Sequence, residues 1–221
     1  MTENAIAVLD IDGTLVDSNY QHALAWYRAL RSVGEIYPVW RLHRVIGMGG
    51  DQVVTAIGGE DLERRVGDEV REKQGEEVDA LLDEMMPLPG ARELLVQIKE
   101  RGHQLVLASS GRQRHVDLFL DKLDARDVAD SWTSSADVET SKPAPDLLQV
   151  ALKKVGAPPD ASSVVIGDSV WDVKAAHNAG MPALVVRSGG FGDDELLNAG
   201  AAAIYDTPAD VAEALDDTPL R

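Results

Sequence analysis

Short apolar runs alternate with longer segments of helical period along most of this chain. Residues 5–9 (Ala-Ile-Ala-Val-Leu) are apolar at every position and end at Asp10, the pattern of a strand buried on both faces. Similar runs stand at 104–109, 163–167 and 183–186, with a weaker one at 201–205. Between them the apolar positions recur at helical spacing over 91–101, 112–123, 145–155 and 170–179. Strands alternating with helices of this length predict a parallel sheet covered on both faces. Because crossovers between parallel strands are right-handed, the economical topology is a doubly wound, Rossmann-like layer.

The stretch 19–86 breaks the alternation. It has no clear strand and reads as helices over about 20–33, 38–45, 50–57 and 60–84, with Gly34 and Gly58-Gly59 as helix ends. Pro87-Leu88-Pro89-Gly90 closes it with a helix stop and a restart. The expected organisation is an α/β core formed by residues 1–18 and 87–221, with residues 19–86 inserted after the first strand as an all-helical cap. Linkers at 17–19 and 87–90 are expected to hinge, so that cap closure shuts out water.

Composition narrows the partners. Across 221 residues, 38 acidic side chains face 21 basic ones, a formal net charge of −17. Nucleic acid and anionic membrane surfaces would be repelled, so neither is an expected partner. A hydrophobic share of 44% with 27% charged residues belongs to a folded globular chain. The absence of cysteine excludes disulfides and thiolate metal sites. No run approaches the ~20 apolar residues of a membrane span, and the first residues lack a signal pattern, so a cytoplasmic monomer or homodimer is expected.

The charge is unevenly placed. Residues 20–50 hold Arg28, Arg31, Arg41 and Arg44 against Glu35, a balance of +3, whereas 51–86 carry −8 and the tail from 189 carries −7. An acidic protein can therefore still receive an anionic ligand locally.

The candidate chemistry lies just past the strands, where the loops of an open parallel sheet converge on one crevice. Asp10-Ile11-Asp12-Gly13-Thr14 follows the first, Ser109-Ser110-Gly111 the second, and Gly167-Asp168-Ser169-Val170-Trp171-Asp172 the third, while Lys142-Pro143 precedes a helix. Each motif alone reads as a turn, a cap or a solvated lysine. Together they supply what phosphate-ester hydrolysis requires: a carboxylate nucleophile, a second carboxyl to pass a proton, fixed positive charge, and hard oxygen ligands for a cation such as Mg²⁺.

These four motifs, in this order, resemble the haloacid dehalogenase superfamily of phosphatases and phosphomutases. The helical insertion resembles the cap of its phosphoglycolate phosphatase and β-phosphoglucomutase branch. The resemblance covers nearly the whole chain. It implies Asp10 as nucleophile and Mg²⁺ ligand, and Asp12 as general acid and base with its carbonyl on the metal. It further implies Ser109, Lys142 and the amide of Ser110 on the phosphoryl group, and Asp168 and Asp172 toward Mg²⁺. The expected reaction is Mg²⁺-dependent hydrolysis of a small anionic phosphorylated metabolite, phosphoglycolate or a sugar phosphate, through an aspartyl-phosphate on Asp10. A β-phosphoglucomutase-type phosphomutase and a non-catalytic binding module of the same fold are the alternatives. Mutases of this branch carry an arginine in the cap loop where this chain has Gly50.

Within the cap, His22 stands where some sugar-phosphate members have a histidine. Arg41, His43 and Arg44 are candidates for the non-reacting end of the substrate, because arginine binds carboxylate and phosphate in bidentate fashion. An amphipathic helix with solvated arginines is the competing reading of that cluster. Arg112 is expected on a helix surface, with the crevice as the alternative, and His103, His115 and His177 in structural roles.

Overall fold

The computed structural model describes residues 4–158 and 161–221. Among the described residues, six strands form one parallel sheet in the order β5-β4-β1-β6-β7-β8: β1 (Ile6–Leu9), β4 (Gln104–Ala108), β5 (Ser131–Thr133), β6 (Ser163–Gly167), β7 (Ala183–Val186) and β8 (Ala203–Tyr205). β1 pairs with β4 on one side and β6 on the other, Leu9 opposite both Leu107 and Ile166. The sheet is therefore the doubly wound one that the alternation predicts. β5 escapes that reading because Ser-Trp-Thr is short, half polar and only partly buried at the sheet edge.

Burial on both faces explains the unbroken apolar runs. Ala7 and Leu9 point to a cluster built with Leu94, Leu95 and Ile98 of α4 (Ala91–Glu100) and Phe119 and Leu120 of α5 (Gln113–Lys122). Ile6 and Val8 point the other way, to Leu147, Leu148 and Ala151 of α6 (Asp146–Lys154) and Val173 and Ala176 of α7 (Val170–Asn178). α8 (Asp193–Ala199) and α9 (Pro208–Glu213) complete the two outer layers.

The helical cap enters after a short antiparallel ribbon in which β2 (Val16–Asp17) pairs with β3 (Met86–Pro87). The two expected linkers thus lie side by side, and β3 straddles the expected boundary at 86–87. α1 (Asn19–Ser32), α2 (Val39–His43) and α3 (Gly50–Asp79) bury a third apolar cluster that includes Trp26, Leu30, Leu42, Val53, Ile57 and Val70. α3 is kinked at Gly59, whose φ of 78° and ψ of 177° are non-helical. Only glycine takes that conformation cheaply, which is why Gly58-Gly59 reads as a helix end. Among the described residues no helix is long and apolar enough to cross a membrane.

Candidate active site

Four chain segments bring their polar residues to the carboxyl edge of the sheet. Asp10 follows β1, and its amide donates to the Ile166 carbonyl of β6 at 2.9 Å, so its backbone is an extension of the sheet. Ser109 follows β4, Asp168 follows β6, and Asp172 lies in the first turn of α7. Asp172 closes a capping box: its Oδ2 accepts from the Ser169 amide at 3.1 Å and from Ser169 Oγ at 2.5 Å. That leaves Oδ1 aimed at Lys142, whose Nζ is 2.7 Å away. Lys142 Nζ also donates to Asp10 Oδ1 at 2.5 Å, and the lysine is only 2% exposed.

Two carboxylates contact that one ammonium, and a third lies beside them. Asp10, Asp168 and Asp172 are buried, and each offers an oxygen within 4.8 Å of the others. Burial lifts the pKa of Asp10 well above the usual carboxylate range; Lys142 pulls it down, while Asp172, Asp168 and Asp12 add to the rise. Asp168 is pushed up to about 7, chiefly by burial and then by the Asp172 charge, against hydrogen bonds from Asn19 and Thr14. Lys142 stays charged: burial disfavours the ammonium, but Asp10 and Asp172 outweigh it and raise its pKa. Buried carboxylates in excess over the local cation, with hard oxygen donors converging, suit a divalent cation.

The loop 10–18 arranges these groups through its own turn. Gly13 adopts φ +79°, and a Cβ there would come 2.2 Å from Asn19 Nδ2 and 2.4 Å from Asp168 Oδ2. Glycine lets Thr14 Oγ1 reach Asp168 Oδ1 at 2.9 Å while Asn19 Nδ2 donates to Oδ2 at 2.6 Å. Ser18 stands at the N-cap of α1 yet makes no capping bond. Its hydroxyl donates instead to Asp12 Oδ1 at 3.0 Å. Ser109 Oγ donates to Asp12 Oδ2 at 3.0 Å, and His22 Nε2 lies 2.9 Å from Asp12 Oδ1. Burial would raise Asp12, but hydrogen bonds from His22, Ser109 and Ser18 hold it down to about 2.

Asp10, Asp12, Ser110 and Lys142 line a cavity of about 250 Å³ roofed by the cap. His22 lines it as well. Arg41, His43 and Arg44 do not. Arg41 Nη2 donates to the Ile57 carbonyl at 2.8 Å and its guanidinium covers the Tyr37 ring. His43 is buried between Tyr20 and Phe191, and Arg44 lies over Phe191 and pairs with Glu195. His43 and Arg44 thus lie at the outer cap–core seam and Arg41 packs within the cap, while Leu42 takes the buried position on α2.

The cavity wall is supplied from elsewhere. Arg71, Gln74 and Asp51 come from α3, and Arg112, His115 and Glu139 from the core. Arg112, expected on a helix surface, is the N-cap of α5; its Nη2 donates to the Arg71 carbonyl at 2.6 Å. His115, expected to be structural, also faces the cavity, with Nε2 2.7 Å from Asp79 Oδ1 of the cap. The nearest sequence signal was the position of Arg112 three residues after Ser109. Asn19 and Ser18 carried none, since polar residues at a helix start read as caps.

This is the site of a hydrolase fold with a cap-covered, carboxylate-rich crevice. Residues 7–186 match the model of the haloacid dehalogenase-like hydrolase family, and the chain belongs to that family. It is 30% identical over 203 residues to a phosphorylated carbohydrates phosphatase of Thermotoga maritima, covering 89% of this chain and 92% of that one. It is 29% identical over 193 residues to a phosphoglycolate phosphatase of Pseudomonas syringae pv. syringae, covering 83% and 70%. Among solved structures, a hydrolase from Pseudomonas syringae superposes with a TM-score of 0.90 at 33% identity, covering 97% of this chain and 99% of that chain.

Proposed function

We propose that the protein is a Mg²⁺-dependent phosphatase that hydrolyses a phosphoric monoester of sugar or polyol size through an aspartyl-phosphate on Asp10. The observation that carries this reading is the convergence of Asp10, Lys142, Asp168 and Asp172 in one buried cluster beneath a capped cavity. Asp10, Asp168 and Asp172 would hold Mg²⁺, which when bound offsets the negative charge of the phosphoryl oxygens and of the carboxylates around them.

Lys142 orients Asp10 and presents a fixed positive charge to the phosphoryl group. The Ser110 amide is its neutral donor, while the Ser109 hydroxyl, expected there too, lies beneath the cavity and donates to Asp12. The carboxylate of Asp10 attacks phosphorus in line, and the P–O bond to the leaving alkoxide breaks. Asp12 and His22 form one hydrogen-bonded unit, which hands a proton to the leaving oxygen and later takes one from the water that cleaves the acyl phosphate. The firm hold of Ser109, Ser18 and His22 on Asp12 keeps that carboxylate pointed into the cavity.

The cavity offers acceptors for a hydroxyl-bearing leaving group. Asp51 and Glu139 face it as acceptors, and Arg71 is neutralised by a bidentate pair with Glu63 and a further pair with Asp68. At about 250 Å³ the cavity is also somewhat smaller than the roughly 300–1,000 Å³ of most ligand sites, which suits a monosaccharide better than a nucleotide. A mutase would need a grip on a second phosphate in the cap loop. Gly50 offers no side chain there, and Arg41 and Arg44 are engaged elsewhere.

The test is phosphate release across a panel of sugar, polyol and two-carbon acid phosphates, with Mg²⁺ and with chelator. Release from hexose or pentitol phosphates in preference to phosphoglycolate, lost on chelation, is expected. Isomerised sugar phosphate without free phosphate would replace this reading by the mutase one.

A further inference from the structure

The first turn of α3 touches the core at the loop that carries Lys142. Gln52 Nε2 donates to the Ser141 carbonyl at 2.6 Å and to the Lys142 carbonyl at 3.2 Å. The Ser141 amide donates to Asp51 Oδ2 at 3.3 Å. Gly49, just before the helix, sits so close that a Cβ there would come 2.0 Å from Ser141 Cβ. The cap therefore reaches the backbone of the lysine loop with a forked donor, while the lysine's own ammonium is 2.5 Å from Asp10 on the other side of that loop.

We propose that Gln52 is a positioning residue that couples cap closure to the placement of Lys142. The proposal rests on the phosphatase reading of the site for its kinetic consequence, though not for its structural one. A lysine side chain has a flexible four-carbon stem, so the place of its ammonium depends on how firmly its backbone is held. With the cap down, Gln52 ties the carbonyls of two successive residues and the loop cannot drift. With the cap raised, the same carbonyls turn to water and the tie is gone.

The other edge of the cap offers a contrast. There, Trp171 Nε1 donates to the Arg44 carbonyl at 3.2 Å and Arg44 pairs with Glu195, contacts that hold the cap without touching the lysine loop. Closure at the Gln52 edge assembles the site, whereas closure at the Glu195 edge only clasps it. Displacement of a catalytic group by about 1 Å costs on the order of 100-fold in rate, so a loss of this tie falls on turnover rather than on substrate affinity.

The experiment compares Gln52→Leu, Gln52→Lys and Glu195→Gln with the wild-type protein. Hydrogen–deuterium exchange over residues 139–145 is read in each resting protein. Turnover, KM and inhibition by orthovanadate are then read with Mg²⁺ and the best substrate of the panel. Gln52→Leu is expected to speed exchange in that peptide, lower kcat about thirtyfold and weaken vanadate inhibition, with KM within about threefold. Gln52→Lys, which restores a donor toward the two carbonyls, is expected to recover most of the loss. Glu195→Gln is expected to leave exchange in the peptide and kcat within about twofold.

Unchanged exchange and kcat in Gln52→Leu overturn the proposal. So does a rise in KM alone, which would make Gln52 a substrate contact. Faster exchange in Gln52→Leu alongside a wild-type protein that hydrolyses nothing would sink the phosphatase reading and leave the coupling standing.

Discussion

The floor and the roof of the cavity are built by different rules. On the floor, each functional residue lies within a few positions of the end of a buried strand or the start of a helix: Asp10 after β1, Ser109 after β4, Asp168 after β6 and Asp172 in the first turn of α7. The sheet sets their spacing, because the strands are hydrogen-bonded in register and cannot slide without turning every side chain to the wrong face. On the roof, Asp51, Arg71 and Gln74 are chosen by which side of α3 faces inward, and that depends on how α1, α2 and α3 pack and on the kink at Gly59. The lesson is that chemistry anchored to strand ends is position-coded, whereas recognition on packed helices is packing-coded.

The largest test of that contrast falls on the floor. Asp10→Asn keeps the shape and removes the proposed nucleophile, and is expected to lower kcat roughly 10⁴-fold or more. Single-turnover phosphate release measures it, and near-wild-type turnover would refute the covalent route. Next comes Lys142→Met, which leaves Asp10 and Asp172 buried without their ammonium. The metal-free variant is expected to lose about 3 kcal/mol of stability, read from denaturant midpoints, and to regain part of it when Mg²⁺ is added.

On the roof and walls the effects are smaller and selective. Arg112→Ala is expected to lower kcat/KM about 10- to 100-fold, the worth of a hydrogen bond to a charged or polar group. Arg41→Ala and Arg44→Ala are expected to stay within about threefold. A reversed order, with Arg41 or Arg44 dominant, would mean that the seam side of α2 meets the substrate.

The smallest effect concerns the pair that joins the walls, Asp79 of α3 with His115 and Arg114 of α5. Burial pushes Asp79 up, but hydrogen bonds from His115 and Arg114 hold its carboxyl below its ordinary value. A depressed carboxylate contributes stability above its unfolded pKa of about 3.9, and that contribution disappears as pH falls through the folded value. Asp79→Asn is therefore expected to cost less than about 1 kcal/mol at neutral pH, since the Asp79 side chain is 41% exposed to solvent. The difference from wild type is expected to shrink as pH falls below the unfolded pKa of about 3.9 and through the lower folded value. Chemical denaturation at neutral pH and along the acid limb measures it.

Much of the fold was legible without coordinates. The runs at 5–9, 104–109, 163–167 and 183–186 correspond to the four central strands β1, β4, β6 and β7, because strands buried on both faces cannot hide their apolar pattern. The edge strand β5 was not legible, as Ser131-Trp132-Thr133 alternates only weakly and is half covered. Arg41, His43 and Arg44 carried the right chemistry for an anion, yet a five-residue helix has too few turns to fix which way its side chains point. For Arg112 the crevice was only the second reading and His115 read as structural, since their placement depends on α3 lying across the first turn of α5.

By itself the chain determined its layered α/β architecture, its helical insertion and the identity of the buried acid–lysine cluster. Local periodicity and the adjacency of polar residues to strand ends are one-dimensional facts. Only the tertiary structure decided that Ser18 serves Asp12 rather than its helix, that Gln52 reaches the Lys142 loop, and that the cavity is lined by Arg112 instead of Arg41 or Arg44. Those are choices among partners far apart in sequence, and they are settled by the packing of whole helices against one another.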